Sequence, residues 1–596
     1  MNIFKPTVAN RAIFFLIFDL LISLFTLYLS YLLRFNFHIP ADHLHNFPKV
    51  FVVLVSLKIL FFFAFKIYFF AWRFFSLNEA KKLLFAHIAA YFGFTILFLF
   101  FKEFFIPMPR SVILIDFFLS IFFIGGFRFL KRLFLEFSKK GEVKPTMIIG
   151  ATPKAVSLIR HFVTEKVDYW PVAIVDDNSS MINTYLANIK VYDLRNLERL
   201  IEKLNISSVI IAKDYDTKEL DKIFEKLKDL GIEDIKLVKL LGDRVEELND
   251  ISIEDLLARK PKDLDIKVIK DFIENKTVLI TGAGGSIGSE IARQCSRFGA
   301  KKLILLDNSE YNLYTITEEL LHYDIVSLLQ TVVDREAINK TIKKYRPDII
   351  VHAAAYKHVP LVEFNPKEAV INNILGTKNV IDASIKYGVK KFVLISTDKA
   401  VRPTNVMGAT KRVCELYAQN VDAKDTEIVA VRFGNVLGSS GSVIPKFKEQ
   451  IKKGGPITVT HPKVTRYFML IPEACQLVLQ AAAIAKGGEI FILDMGEPVK
   501  IVDLAKKMLK LYGKEKEIEI VFTGLRPGEK LFEELLLDER EQKTKYESIY
   551  VTRPTIYDID VLEKNIEELL KTDENGIVAK LKEIVKEFQP NHYKKS

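Results

Sequence analysis

Apolar residues are spread unevenly along the chain. Four nearly uninterrupted runs, Ala12–Leu33, Val50–Ala71, Leu83–Phe101 and Ser111–Phe127, fill its first part. Each is close to the ~20 residues with which a helix crosses hydrocarbon. The first lacks the small-residue cleavage site of an export signal, and three more runs follow it. From Thr146 the apolar stretches shorten and alternate with amphipathic ones. Thr146–Gly150, Val172–Val175 and Val209–Ala212 read as buried strands, with helices through about Glu165 and over Lys218–Leu230. A second series begins at Thr277–Ile280 and continues with Lys302–Leu306, Ile349–Ala355 and Phe392–Ser396. Strands alternating with helices predict parallel sheets. The predicted fold is α/β: a four-helix transmembrane region, 1–140, followed by two Rossmann-like doubly wound domains. The first of these spans 141–248, a connector 249–275, and the second 276–596, with a smaller C-terminal substrate-binding part.

Composition refines this picture in two places. Hydrophobic residues are 49% of the 596 and include 46 Phe, crowded towards the N-terminus, whereas 27% are charged. The bias is therefore regional, and the remainder is ordinary water-soluble sequence. The net charge of +11 does not indicate nucleic acid, because no zinc-finger spacing or RNA-binding aromatic signature is present. Much of the excess flanks the apolar runs, as with Arg128, Lys131, Arg132, Lys139 and Lys140, where a lipid bilayer is the partner. Cys295, Cys414 and Cys475 are too few and too scattered for a disulfide framework or a metal site, which fits a reducing cytoplasm.

The loops give orientation. Lys5 and Arg11 precede the first run, Arg73, Lys81 and Lys82 separate the second from the third, and the basic cluster follows the fourth. The other loops carry fewer cations, diluted by Asp42 and Glu103. The positive-inside rule then places the N-terminus and everything after Lys140 in the cytoplasm. Asp19, Lys58, Lys66 and Asp116 fall inside the runs. Such charges are expected to pair between helices, with Lys66 snorkelling; the alternative is a site for a lipid-linked or glycan partner.

In the first α/β domain the turn Gly150-Ala151-Thr152-Pro153 is like a nucleotide loop without its later glycines, and its expected role is structural. Asn249–Asp265, with Arg259-Lys260-Pro261, reads as a helical connector. The second domain carries more chemistry. Gly282, Gly285 and Gly288 give a G-x-x-G-x-x-G spacing between strand and helix. They permit a tight turn, close approach to a pyrophosphate and close helix packing, and Ser286 and Ile287 open the helix that faces the phosphates. Asp307 ends the next strand, about twenty residues on, where an acid binds the adenosine ribose. A carboxylate there repels a 2′-phosphate and no arginine follows, so NAD is favoured over NADP. Asp334 and Arg335 are placed to reach the adenine, and Ala353, Ala354 and Ala355 let the cofactor lie close.

The C-terminal edge of the same sheet receives Lys357 and His358 from one strand and Thr397, Asp398 and Lys399 from the next. A carboxylate beside an amine provides the acid and base that elimination of water needs. Met407 and Lys411 share a helix face. They stand where short-chain dehydrogenases have the proton-transferring Tyr-x-x-x-Lys pair, and a thioether carries no proton. Lys411 is placed to hydrogen-bond the nicotinamide ribose. Further on, Asn435, Lys446, Thr458, Arg466, Arg526 and Glu529 lie in basic, turn-rich segments suited to a diphosphate and a base.

Taken together, Gly282–Gly288, His352–Pro360, Ser396–Lys411, Arg432–Val436 and Arg526–Lys530 resemble extended short-chain dehydrogenases acting on nucleotide sugars. Thr397-Asp398-Lys399 with Met407-x-x-x-Lys411, four membrane spans and an additional α/β domain are similar to the membrane-bound nucleotide-sugar 4,6-dehydratases of bacterial glycan synthesis. The resemblance implies UDP-N-acetylglucosamine as substrate and UDP-2-acetamido-2,6-dideoxy-α-D-xylo-hexos-4-ulose as product, with C5 retained. It implies that NAD takes hydride from C4, that Lys399 removes the C5 proton, that Asp398 protonates the departing C6 hydroxyl, and that hydride returns to C6. Thr397, a water, or Asp398 acting twice takes the C4 hydroxyl proton. It also implies the bacterial inner membrane, downstream glycan-pathway enzymes as partners, and a homo-oligomer paired through helices flanking the active site, the one bearing Lys411 among them. A 4-epimerase, a C5-inverting dehydratase, and a non-catalytic scaffold or nucleotide-sugar sensor are the alternative readings.

Overall fold

A computed structural model of the chain describes residues 8–69, 77–137, 143–164, 168–241, 244–257, 263–534, 542–552 and 554–590. Lys5, Arg73, Lys139, Lys140 and the Arg259-Lys260-Pro261 part of the expected connector lie outside the described residues, as do the side chains of Arg11, Lys131 and Arg132.

Four N-terminal helices are long and apolar enough to cross a membrane: Ala12–Arg34, Ala41–Ala64, Glu79–Phe100 and Arg110–Arg128. The second begins nine residues before the predicted run and ends seven before it. Pro40 caps it and Asp42 occupies its first turn, so the polar start is helical although a search for hydrocarbon length passes over it. Asn46 in that stretch donates to the carbonyls of Phe105 and Ile106 at 2.9 and 3.2 Å. Leu27, Tyr31, Leu54, Phe94 and Val112 form the centre of the bundle.

The buried charges pair across helices. Arg128 donates to both oxygens of Asp19, at 2.8 and 2.6 Å. Lys58 lies 3.3 Å from Asp116 and 3.0 Å from the Ser120 hydroxyl. Arg128 is thus a buried partner rather than part of the flanking basic cluster, and Lys66 is exposed beyond its helix end. Replacing Asp19 by Asn strips a buried guanidinium of its carboxylate. The expected loss is about 3–5 kcal/mol, read as a lower melting temperature in detergent, with partial recovery when Arg128→Met is added.

Residues 145–158 and 171–596 form a second compact unit. Its first sheet has the strand order Tyr185–Leu186, Ile189–Asp193, Tyr169–Asp176, Lys144–Ile149, Ser208–Ile211, Asp234–Leu241, Arg244–Asp250. Gly150 closes the central strand at φ +105°, and a Cβ added there would lie 2.5 Å from the Lys213 Cβ. Lys213 pairs with Asp177 and is 3.8 Å from Asp176. A side chain and its two carboxylates therefore cover the turn that resembles a nucleotide loop.

The second sheet is built on seven parallel strands in the order Ile325–Leu329, Lys302–Asp307, Thr277–Thr281, Ile349–His352, Lys391–Ile395, Glu427–Arg432, Ile490–Leu493. Antiparallel Ile549–Thr552 and Gln542–Lys543 extend it. Strand order reverses between Thr277–Thr281 and Ile349–His352, which makes the crevice at their C-terminal ends the place where such sheets bind ligands. A smaller core around Phe447, Ile457, Leu504 and Met508 follows. The helix Ile501–Leu511 of that part holds the first α/β domain through Lys507–Asp221 at 2.6 Å and Lys510–Asp229 at 2.7 Å. Glu254 meets Lys448 at 3.1 Å.

The helix Val406–Asn420, which carries Met407 and Lys411, is buried from Val406 to Ala418. Leu562, Ile566 and Leu569 of Ile559–Lys571 and Ile577, Leu581 and Ile584 of Ile577–Ile584 belong to the same core. Arg412 adds bonds to Glu587 at 2.8 Å and to Thr555 at 2.9 Å. The helix Val406–Asn420 is therefore covered by the chain's own C-terminal helices.

Candidate active site

The crevice opens into a cavity of about 880 Å³, within the usual range for a ligand site. Its floor is the glycine loop. Gly282 has φ +66°, and a Cβ on it would lie 2.8 Å from the Ala354 nitrogen; a Cβ on Gly288 would lie 2.1 Å from the Gly282 carbonyl oxygen. The helix Ser286–Arg297 starts directly behind, with Gly285 as its cap. Gly284, passed over in the sequence, is as constrained, since its Cβ would meet Asn312 at 2.5 Å. Only bare backbone leaves this space, and backbone N–H groups at a helix start suit a pyrophosphate. The residues present fit NAD.

The cofactor side is only partly as expected. Gly282, Gly285, Ser286, Ile287, Gly288, Ala353, Ala355 and Lys411 line the cavity; Ala354, Asp307, Asp334 and Arg335 do not. Ala354 instead presents its backbone to Gly282. Asp307 accepts from the Gly284 and Ser309 nitrogens, both at 2.8 Å, so its carboxylate clamps the glycine loop to the strand end. Asp334 caps the helix Arg335–Tyr345 by accepting from Ala337 N at 2.9 Å.

All eight residues expected to bind substrate, Lys357, His358, Asn435, Lys446, Thr458, Arg466, Arg526 and Glu529, line the same cavity. Burial, and then the charge of Arg526, lower the pKa of Lys446. Arg466 donates to the Lys530 carbonyl at 2.8 Å and lies 3.3 Å from Glu529, whose other oxygen accepts from Arg526 N at 3.2 Å. Cations held this close to one another invite a polyanion.

Between the two halves lie Thr397, Lys399, Met407 and Lys411. The Thr397 hydroxyl donates to Asp398 Oδ1 at 2.8 Å, and Lys399 Nζ lies 3.0 Å from the same oxygen and 3.3 Å from Asn435 Oδ1. Asp398 and Lys399 open the 3-10 turn Asp398–Ala400. Asp398 is fully buried beside Thr397 and Lys399 and is not part of the cavity wall. Met407 is 3% exposed and belongs to the hydrophobic core, while Lys411, one turn on, has its pKa lowered by burial. Asn373, on the widened turn Val370–Leu375, receives Tyr356 N at 2.8 Å and donates to the Thr410 hydroxyl at 3.1 Å. It thereby ties the Lys357 turn to the Lys411 helix.

The family model described as polysaccharide biosynthesis protein matches residues 278–554. The capsular polysaccharide biosynthesis protein CapD of Staphylococcus aureus is 44% identical over 84% of this chain and 86% of its own. The probable polysaccharide biosynthesis protein EpsC of Bacillus subtilis is 45% identical over 78% and 80%. The chain belongs to the polysaccharide biosynthesis protein family. A UDP-N-acetylglucosamine 4,6-dehydratase (inverting) of Campylobacter jejuni is 34% identical over 48% of the chain and 86% of its own length. This polysaccharide biosynthesis protein therefore shares its catalytic half with nucleotide-sugar-modifying enzymes.

Two features of the family member were not singled out from its sequence. Ser440 N donates to the Ser286 hydroxyl at 3.2 Å, joining the glycine loop to the start of the helix Val443–Lys452. Glu533 lies 3.5 Å from both Lys399 Nζ and Arg466 Nε. Of the glycines, Gly288→Ala tests the pyrophosphate reading most directly. Its methyl forces the loop backbone apart, so NAD affinity should fall by about tenfold or more in a fluorescence titration.

Proposed function

We propose that the chain is a UDP-N-acetylglucosamine 4,6-dehydratase that retains the configuration at C5. The observation that carries this reading is the Thr397–Asp398–Lys399 cluster facing a dinucleotide crevice, with Met407 in place of a proton-carrying tyrosine. A site that oxidises C4 but has an amine and a buried carboxyl in contact is equipped for elimination. The similarity to a named 4,6-dehydratase supports the substrate and reaction class. When bound, NAD supplies a reversible hydride acceptor and so makes C4 oxidation and C6 reduction one redox-neutral cycle.

The chain's residues supply the rest. Lys446, Arg466 and Arg526 hold the diphosphate. Thr397 passes the C4 hydroxyl proton to Asp398, whose carboxylate already accepts its hydrogen bond. Lys399 as free amine takes the C5 proton, made acidic by the neighbouring ketone. The Asp398 proton returns through Thr397 to the C6 oxygen, which leaves as water, and Lys399 returns its proton to C5 when C6 is reduced. Lys411 orients the nicotinamide ribose. In this reading the enzyme works at the cytoplasmic face of a bacterial inner membrane, beside the glycan-pathway enzymes that use its product. Incubating the full-length protein with UDP-N-acetylglucosamine should give a sugar lighter by one water, with C5 unchanged by NMR. An inverted C5, or a C4 epimer of unchanged mass, would replace the proposal by the corresponding alternative.

A further inference from the structure

Two buried glutamates near the site are treated very differently by their surroundings. Glu415 has both oxygens saturated: Oε1 by Ser396 at 2.6 Å and Arg432 at 2.7 Å, Oε2 by Arg432 at 2.6 Å and Arg412 at 3.2 Å. That is a structural carboxylate. The Glu533 side chain is 3% exposed, touches Lys399 Nζ and Arg466 Nε only at 3.5 Å, and leaves Oε2 buried without a partner. A half-satisfied buried carboxylate costs free energy, and such costs persist where a site uses them.

Resting on the dehydratase reading, we propose that Glu533 is a positioning residue for Lys399, which holds its ε-amino group in place and sets how readily that group gives up its proton. Lys399 is faced by Asp398 from its own turn, by Glu533 from the loop after strand Ile520–Phe522, by Arg466 from strand Thr465–Arg466, and by Lys357 from the turn after strand Ile349–His352. Burial lowers the pKa of Lys399, but Asp398 and Glu533 outweigh it and hold the group above its ordinary value. Glu533 therefore makes the amine a stronger base for the weakly acidic C5 proton, at the cost of a smaller free-amine fraction near neutrality.

The sign follows. Removing the Glu533 charge lowers the Lys399 pKa, so the free amine appears at lower pH. The test is competitive labelling of the full-length protein with acetic anhydride across pH, read by mass spectrometry on the peptide containing Lys399. In E533Q the half-labelling pH should fall by about one unit or more, while E533D stays near wild type. The rising limb of kcat/KM against pH should move by the same amount, with KM little changed and the plateau kcat lower. Coincident labelling curves for E533Q and wild type would overturn the proposal. An E533Q protein that no longer folds would also overturn it, by making Glu533 a structural residue. Labelling does not depend on turnover. A shifted curve with no keto-sugar from wild type refutes the reaction and keeps Glu533 in its role; turnover with an unshifted curve does the reverse.

Discussion

Replacing Lys399 by alanine should abolish keto-sugar formation, with kcat falling by about 10²–10⁴ and UDP binding retained. The amine is the basic group in the cavity that is also bonded to the buried acid: Nζ lies 3.0 Å from Asp398 Oδ1 and 3.3 Å from Asn435. Its absence leaves no acceptor for the C5 proton. Asp398→Asn should cost as much for a different reason. Asparagine keeps the volume of the buried site but can neither accept a proton through Thr397 nor return it. Thr397→Val should resemble Asp398→Asn, and the double variant should be little worse than either, because one relay has been cut twice. Mass spectrometry of the sugar with calorimetry of UDP binding separates chemistry from affinity. Near-normal turnover in Lys399→Ala or Asp398→Asn would refute these roles.

Most of the cavity wall was legible because its signals are local. Strand, glycine loop and helix follow one another without a gap, and a parallel sheet sends every strand end to one edge. That is why residues as far apart in sequence as Lys357 and Arg526 share one wall. The departures have equally specific causes. Asp398 and Lys399 are neighbours that stay in contact at 3.0 Å, yet one is wholly buried and the other reaches the cavity, a difference no spacing encodes. Glu533 comes from an irregular segment with no periodicity to mark it. The cover over the Lys411 helix was readable in principle: Leu562, Ile566 and Leu569 form an apolar stripe that needs a partner.

Replacing Glu415 by alanine should destabilise the catalytic domain by about 3–5 kcal/mol. Its carboxylate is wholly buried, and it is the shared acceptor of Arg432 and Arg412, whose side chains are 1% and 5% exposed. Removing it leaves two guanidinium groups without that charge in a site of low polarity. Burial alone would raise the pKa of Glu415, but Arg432 and Arg412 overcome this and hold it below the usual carboxylate range. A depressed folded-state value contributes stability that is complete above the unfolded value, about 4.3, and is lost as pH falls through the folded one. The gap in melting temperature between wild type and Glu415→Ala should therefore be widest near neutrality and narrow in acid; an equal gap at every pH would mean that packing, not charge, holds the site. The effect should reach the chemistry as well. Glu415 accepts from the Ser396 hydroxyl, Ser396 N bonds to the Val431 carbonyl, and Asp398 N bonds to the Phe433 carbonyl. One carboxylate thus fixes the end of the strand Lys391–Ile395, which presents Thr397 and Lys399 to the cavity, against the end of its neighbour Glu427–Arg432. A stabilised variant background that restores folding to Glu415→Ala should still show a lower kcat.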